Sequence, residues 1–132
     1  MIPQMKEYKF TQLAEQPTRT YCVDFAKGRC AGYTDGITAI KQAIFLVLNT
    51  PRFRHLIFSW NYGHELYEIF GKDIELAKCE AKRLITEALT QDERIRSADG
   101  FVFSVPEKGV LSVSFTVNTI FGELEQSMEV RT

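Results

Sequence analysis

The segment HELYE, His64 to Glu68, sets a histidine beside a glutamate with a second glutamate four residues after the histidine. The zinc-protease pattern HExxH needs a histidine at that last position, because two imidazoles one helical turn apart hold the metal while the glutamate activates a water. Glu68 stands there instead, and the other histidine of the chain is His55. His64 and Glu65 therefore read as polar residues opening a short helix. A glycosidase needs two carboxylates flanking a cleft, one of them kept protonated by its surroundings. Glu65, Glu68 and Asp73 are neighbours in sequence, but a chain with seventeen acidic residues produces such groupings by chance. Nucleophilic chemistry has no better foothold. There is no GxSxG elbow, and GRCAG, Gly28 to Gly32, lacks the GK[ST] ending of a phosphate loop. Cys22, Cys30 and Cys79 are an odd number without CxxC spacing, so they read as reduced thiols in a cytosolic setting, small and buried rather than disulfide-forming or zinc-binding. No catalytic residue, metal, cofactor or small-molecule substrate is assigned.

Around HELYE lies FSWNYGHELYEIFGKD, Phe58 to Asp73, which holds the lone tryptophan, two tyrosines and two phenylalanines. Trp60 and Tyr62 fit either a core plug or an interface anchor, since both bury much area and keep one polar group to satisfy. Residue physics alone puts the core plug first. Gly63 reads as a turn or a close backbone approach that a side chain would block.

The elements that position these residues follow from composition and period. A length of 132 residues fits one domain with a real core, and 45% hydrophobic with 25% charged residues is a globular profile. A formal net charge of -1 gives no field towards phosphate backbones or anionic lipid, so neither nucleic acid nor membrane is an expected partner. The first residues lack the pattern of a secretory signal, and the apolar run Ala43 to Leu48 is too short to span a bilayer. Residues 1–17 show no sustained period and read as an N-terminal arm; 18–132 read as a single domain.

Within that domain TYCVDF alternates, and AKGR offers a turn into CAGY, which predicts a hairpin in which Cys22 and Cys30 could face one another. Thr34 or Asp35 caps a helix Gly36 to Leu48, with Ile37, Ile40, Ile44 and Val47 inward and Pro51 beyond its end. From Asp73 to Leu89 a stripe of Ile74, Ala77, Ala81, Ile85 and Ala88 predicts a second helix, whose Lys and Glu residues read as solvated. After Phe101 the period becomes two: three strands in a meander, with PEKG as one turn. The fold class is α+β, an N-terminal hairpin and two main helices packed on an antiparallel sheet that ends in a three-strand meander. Its last strand, bearing Glu123, Glu125 and Glu129, reads as a protected edge or a docking edge, and composition favours protection.

This order of elements, with GITAIKQAIFLVLNTPRF, FSWNYGHELYEIFGKD and the terminal meander, resembles the XkdS-like baseplate proteins of contractile phage tails and related prophage and bacteriocin particles. That group is distantly similar to the wedge protein that initiates the tail sheath. The resemblance runs from about Tyr21 to Val130. It implies a non-enzymatic structural protein of the virion tail baseplate, assembled in the host bacterial cytoplasm. The implied partners are other wedge proteins, the hub, the sheath and the tail tube, with the first sheath ring joined by strand exchange. The last strand then becomes a docking edge, with Leu124, Gln126, Met128 and Val130 as interface residues, and Trp60, Asn61, Tyr62, Gly63 and His64 become part of a rigid contact loop. Wedge relatives carry an acid-to-arginine word before that loop. TPRF keeps Arg52 without the acid, which leaves an intersubunit role for Arg52 without an evident pair. The family has also carried a lysozyme-like label, which would rest on Glu65 and Glu68. A murein hydrolase and a generic adaptor domain are the alternatives.

Overall fold

A computed structural model describes residues 18–131 of the chain. The elements run β1 (Thr20–Asp24), β2 (Arg29–Thr34), α1 (Gly36–Leu48), a 3-10 turn (Leu66–Ile69), α2 (Ile74–Thr90), β3 (Ile95–Glu107), β4 (Val110–Thr119) and β5 (Gly122–Arg131). β1 and β2 form a separate antiparallel hairpin; β3, β4 and β5 form an antiparallel sheet with β4 in the middle. The α+β class and the order of elements are those the sequence predicts. The N-terminal arm lies outside the described residues.

Local chemistry sets the boundaries. The Asp24 carboxylate accepts from the amides of Ala26 and Lys27 and turns the chain between β1 and β2. Asp35 caps α1, its carboxylate accepting from the Gly36 amide at 2.7 Å. Gln42 on α1 accepts from the Val23 amide and donates to the Tyr21 carbonyl, and so holds β1 against the helix. Cys22 does not face Cys30, because a register shift places Val23 opposite it. Nor are the thiols buried as expected: Cys30 and Cys79 are exposed and Cys22 is half-buried. At these positions the alternation of the hairpin and the outer face of α2 outweigh any preference of cysteine for the interior.

The core lies between the two helices and one face of the larger sheet. α1 contributes Ile40, Ile44, Val47 and Leu48; α2 contributes Leu84, Ile85 and Leu89 together with three alanines that let it approach β3 closely. β4 alternates without a break, Leu111, Val113, Phe115 and Val117 buried against Ser112, Ser114, Thr116 and Asn118 on the outer face. Each large aliphatic side chain buried there contributes roughly 1.5–3 kcal/mol. Ile37, expected inward, is exposed in the first turn of α1, beyond the reach of α2. β3 begins at Ile95, ahead of the alternating residues, and meets β4 through three register shifts.

Candidate functional site: a pinned aromatic loop and an open sheet edge

Between α1 and α2 the chain makes a loop whose two ends are tied together. The Arg52 amide donates to the His64 carbonyl at 2.8 Å and the His64 amide to the Thr50 carbonyl at 3.0 Å, a parallel bridge of Pro51 with His64. Gly63 makes this approach possible. Its φ is 97°, and a Cβ there would lie 2.4 Å from the Thr50 carbonyl oxygen. That is the close backbone approach the sequence suggests.

Arg52 fills the neck of the loop and is 5% exposed. Its Nη1 donates to both carboxylate oxygens of Glu87 on α2, at 2.7 and 2.9 Å. Its Nη2 donates to the carbonyls of Asn61 and Gly63, at 3.1 and 3.2 Å, and Glu65 lies 3.7 Å away. The acid missing from TPRF is thus supplied from within the chain. Glu87, read from sequence as one of several solvated residues of α2, is the chief partner of a buried guanidinium. Beside it His64 accepts the Leu66 amide at Nδ1, and burial first, then the Arg52 charge, lowers its pKa from the ordinary 6.5. His64 and Glu65 open the 3-10 turn, as HELYE suggests, and no metal-ligand cluster occurs among the described residues.

The crown of the loop is apolar and open to solvent. Leu56, Ile57 and Trp60 are 104%, 87% and 82% exposed, and Phe53, at φ 66°, leans on Trp60 with ring centroids 5.8 Å apart. The core-plug reading of Trp60 is therefore overturned, since the tied neck points the crown away from the interior. Tyr62 does behave as a plug: it packs on the core and stacks with Phe58 at 4.5 Å. Asn61 is exposed, contributing its carbonyl to Arg52.

The other four sequence-picked residues lie together on β5. Leu124, Gln126 and Met128 are half-buried on the core-side face and Val130 is buried. β5 pairs with β4 over ten consecutive residues with no register shift, and β4 is its main neighbour among the described residues. β3, at the opposite edge, is broken by bulges and carries Pro106. One edge is therefore blunted and the other left regular. The loop and β5 are distinct surfaces, so the structure does not gather the ten residues into one site. Sequence reasoning missed Glu87, 35 residues from Arg52, and the exposed trio Phe53, Leu56 and Ile57. The large apolar residues of RFRHLIFSW, set among Arg52, Arg54 and His55 in a segment without helical or strand period, were the available signal for the trio.

A pinned loop with an apolar crown and a regular open edge suit protein contacts, and the comparisons with known proteins agree. A family described as contractile injection system sheath initiator matches residues 17–122. The chain belongs to that family. It is also 36% identical, over 116 residues that cover 83% of it and 80% of the relative, to the phage-like element PBSX protein XkdS of Bacillus subtilis. Among solved structures it resembles one from Geobacter sulfurreducens, named as a candidate tail lysozyme, with a TM-score of 0.62 over 74% of this chain and 92% of that one. At 15% identity that likeness shows the fold alone. The family and the XkdS relative make this chain a structural component of a contractile tail that works with other baseplate and sheath proteins. No helix among the described residues is long and apolar enough to cross a membrane. The matched span ends at Gly122, where β5 begins, so the part played by β5 is argued from its own geometry.

Proposed function

We propose that this chain is a non-enzymatic sheath initiator of a virion tail baseplate, assembled in the host cytoplasm. Its loop crown seats against neighbouring wedge and hub proteins around the tail tube, and its β5 edge receives a strand of the first sheath ring. The observation that carries this reading is the edge itself: ten residues of unbroken antiparallel ladder with one side free among the described residues. A regular free edge is a ready template for strand addition. The murein-hydrolase alternative finds no support at its two candidate carboxylates. A general acid needs a carboxyl kept protonated in apolar surroundings, whereas Glu65 has a guanidinium 3.7 Å away and Glu68 is exposed.

The test is electron microscopy of induced particles from a strain lacking the gene, complemented with wild type or with Ser127→Pro, the variant protein being shown to fold by its thermal melt. Ser127 faces Ser114 as a non-hydrogen-bonded pair, so its amide points to the free side, and proline there removes a donor from the open edge while sparing the ladder to β4. Bare tubes from the null strain, and tubes with baseplates but no sheath from the variant, are expected. Sheathed tails from the folded proline variant refute the docking edge. Cell-wall cleavage that is lost in Glu65→Gln or Glu68→Gln while particles assemble normally refutes the non-enzymatic assignment.

A further inference from the structure

The two faces of β5 differ in chemistry. On the core side run Leu124, Gln126 and Met128, only half-covered because α2 packs over β3 rather than over β5. Among them the Gln126 side-chain nitrogen is buried with no acceptor among the described residues. On the outer side run Glu123, Glu125, Ser127 and Glu129, and none of these glutamates joins an ion pair among the described residues. Their cross-strand neighbours on β4 are Asn118, Thr116 and Ser112, all uncharged.

A strand added to β5, parallel or antiparallel, places its own alternate residues beside these two rows. A second copy of β5 would set glutamates against glutamates, and like charges directly opposite are unfavourable. The acidic row therefore selects against self-pairing while it attracts a strand of the opposite sign, so one feature serves both to protect the edge and to choose its occupant. We infer that β5 is selective for an extended segment that alternates basic residues on the outer face with apolar residues, one hydrogen-bond acceptor among them, on the face that meets Leu124, Gln126 and Met128. This rests on the docking-edge reading above and adds the chemical identity of the strand.

The probe is a ten-residue synthetic peptide alternating Lys with Val, with one Thr at the central inward position, compared with the same peptide carrying Glu for Lys. Both are titrated into the full chain, with hydrogen exchange of the β5 amides as the readout of where they bind. The Lys peptide is expected to slow exchange along β5 and to bind roughly ten- to a hundredfold more tightly than the Glu peptide, from three cross-strand charge pairs changed from unlike to like. The preference is expected to fall as salt rises. Glu123→Lys/Glu125→Lys/Glu129→Lys, all exposed positions, is expected to reverse it while leaving the melting temperature near that of wild type. Equal protection by both peptides overturns the charge selectivity and leaves the docking edge standing. Protection of β5 by neither peptide overturns the inference too. The Ser127→Pro particles then decide the underlying reading separately: unsheathed tails keep β5 as the docking edge for a strand of other chemistry, and sheathed tails remove it.

Discussion

Replacing Arg52 with alanine tests how the aromatic loop is held. The guanidinium makes four donor contacts, two to Glu87 and one each to the Asn61 and Gly63 carbonyls. The two kinds of acceptor fare differently when it is removed. The Glu87 side chain is 40% exposed and regains water, so the ion pair counts for about 1 kcal/mol. The carbonyls in the loop neck lose a charged donor where water replaces it poorly, at roughly 1–2 kcal/mol each. A loss of about 3–5 kcal/mol follows, the range found when one partner of a buried pair is deleted. For a domain of this size that lowers the melting temperature by about 10–15 °C. Glu87→Gln keeps an acceptor and loses only the charge, so it is expected to cost about 1 kcal/mol. The assay is thermal denaturation of both variants together with hydrogen exchange at the amides of residues 52 and 64, which close the neck. A fall of less than about 3 °C for Arg52→Ala with both amides still slow refutes the clamp. Equal losses in the two variants refute the division between carbonyls and ion pair.

Gly63→Ala is expected to destabilise by about 2–4 kcal/mol in urea denaturation, because the added Cβ meets the Thr50 carbonyl and the backbone is left-handed, whereas Gly71→Ala, at φ 79° with open space around it, costs only about 1 kcal/mol. His64 is held neutral, its folded pKa lying below the 6.5 of the unfolded chain, so the unfolded state binds the extra proton first. Stability is expected to fall as pH drops below about 6.5 and to be flat above it with respect to this group; chemical denaturation of wild type against His64→Gln checks this, and an unchanged slope in the variant rejects it. Leu56→Ser/Ile57→Ser/Trp60→Ser removes only exposed apolar surface, so melting is expected to shift by no more than about 0.5 kcal/mol per site while baseplate assembly, read by electron microscopy, is lost.

The helices were legible because their inward residues repeat at the helical period, and α1 begins and ends where a capping aspartate and a following proline say it should. β4 and β5 were legible because each has one wet face. The start of β3 was not, since IRSADG alternates poorly, is interrupted by register shifts and is held beside β4 by Asn118, which donates to Ser97 and Asp99. The site was legible in part. Gly63 carries a signal in local sequence, and the last strand reads as a sheet edge, but the partner of Arg52 lies on another element, where nothing distinguishes Glu87 from the helix's other glutamates. Trp60 shows the converse. Its hydrophobicity said that it needed burial, and only the tied neck of the loop shows that the described residues do not supply it.

The same contacts connect the two surfaces mechanically. Arg52 ties the loop to α2, α2 packs on β3, and β3 continues through β4 to β5, so a protein seated on the crown and a strand added to the edge are held at a fixed relation by one packed body. The arrangement also allows the two surfaces to be separated experimentally. β5 makes no hydrogen bond to the loop neck among the described residues, and its ladder to β4 does not involve Arg52. Arg52→Ala, assayed below its melting temperature, is therefore expected to weaken baseplate incorporation through the loosened crown and to leave Lys-peptide protection of β5 within about twofold of wild type, as additivity for distant sites requires. Parallel loss of both functions would mean that the loop and the edge form a single cooperative interface.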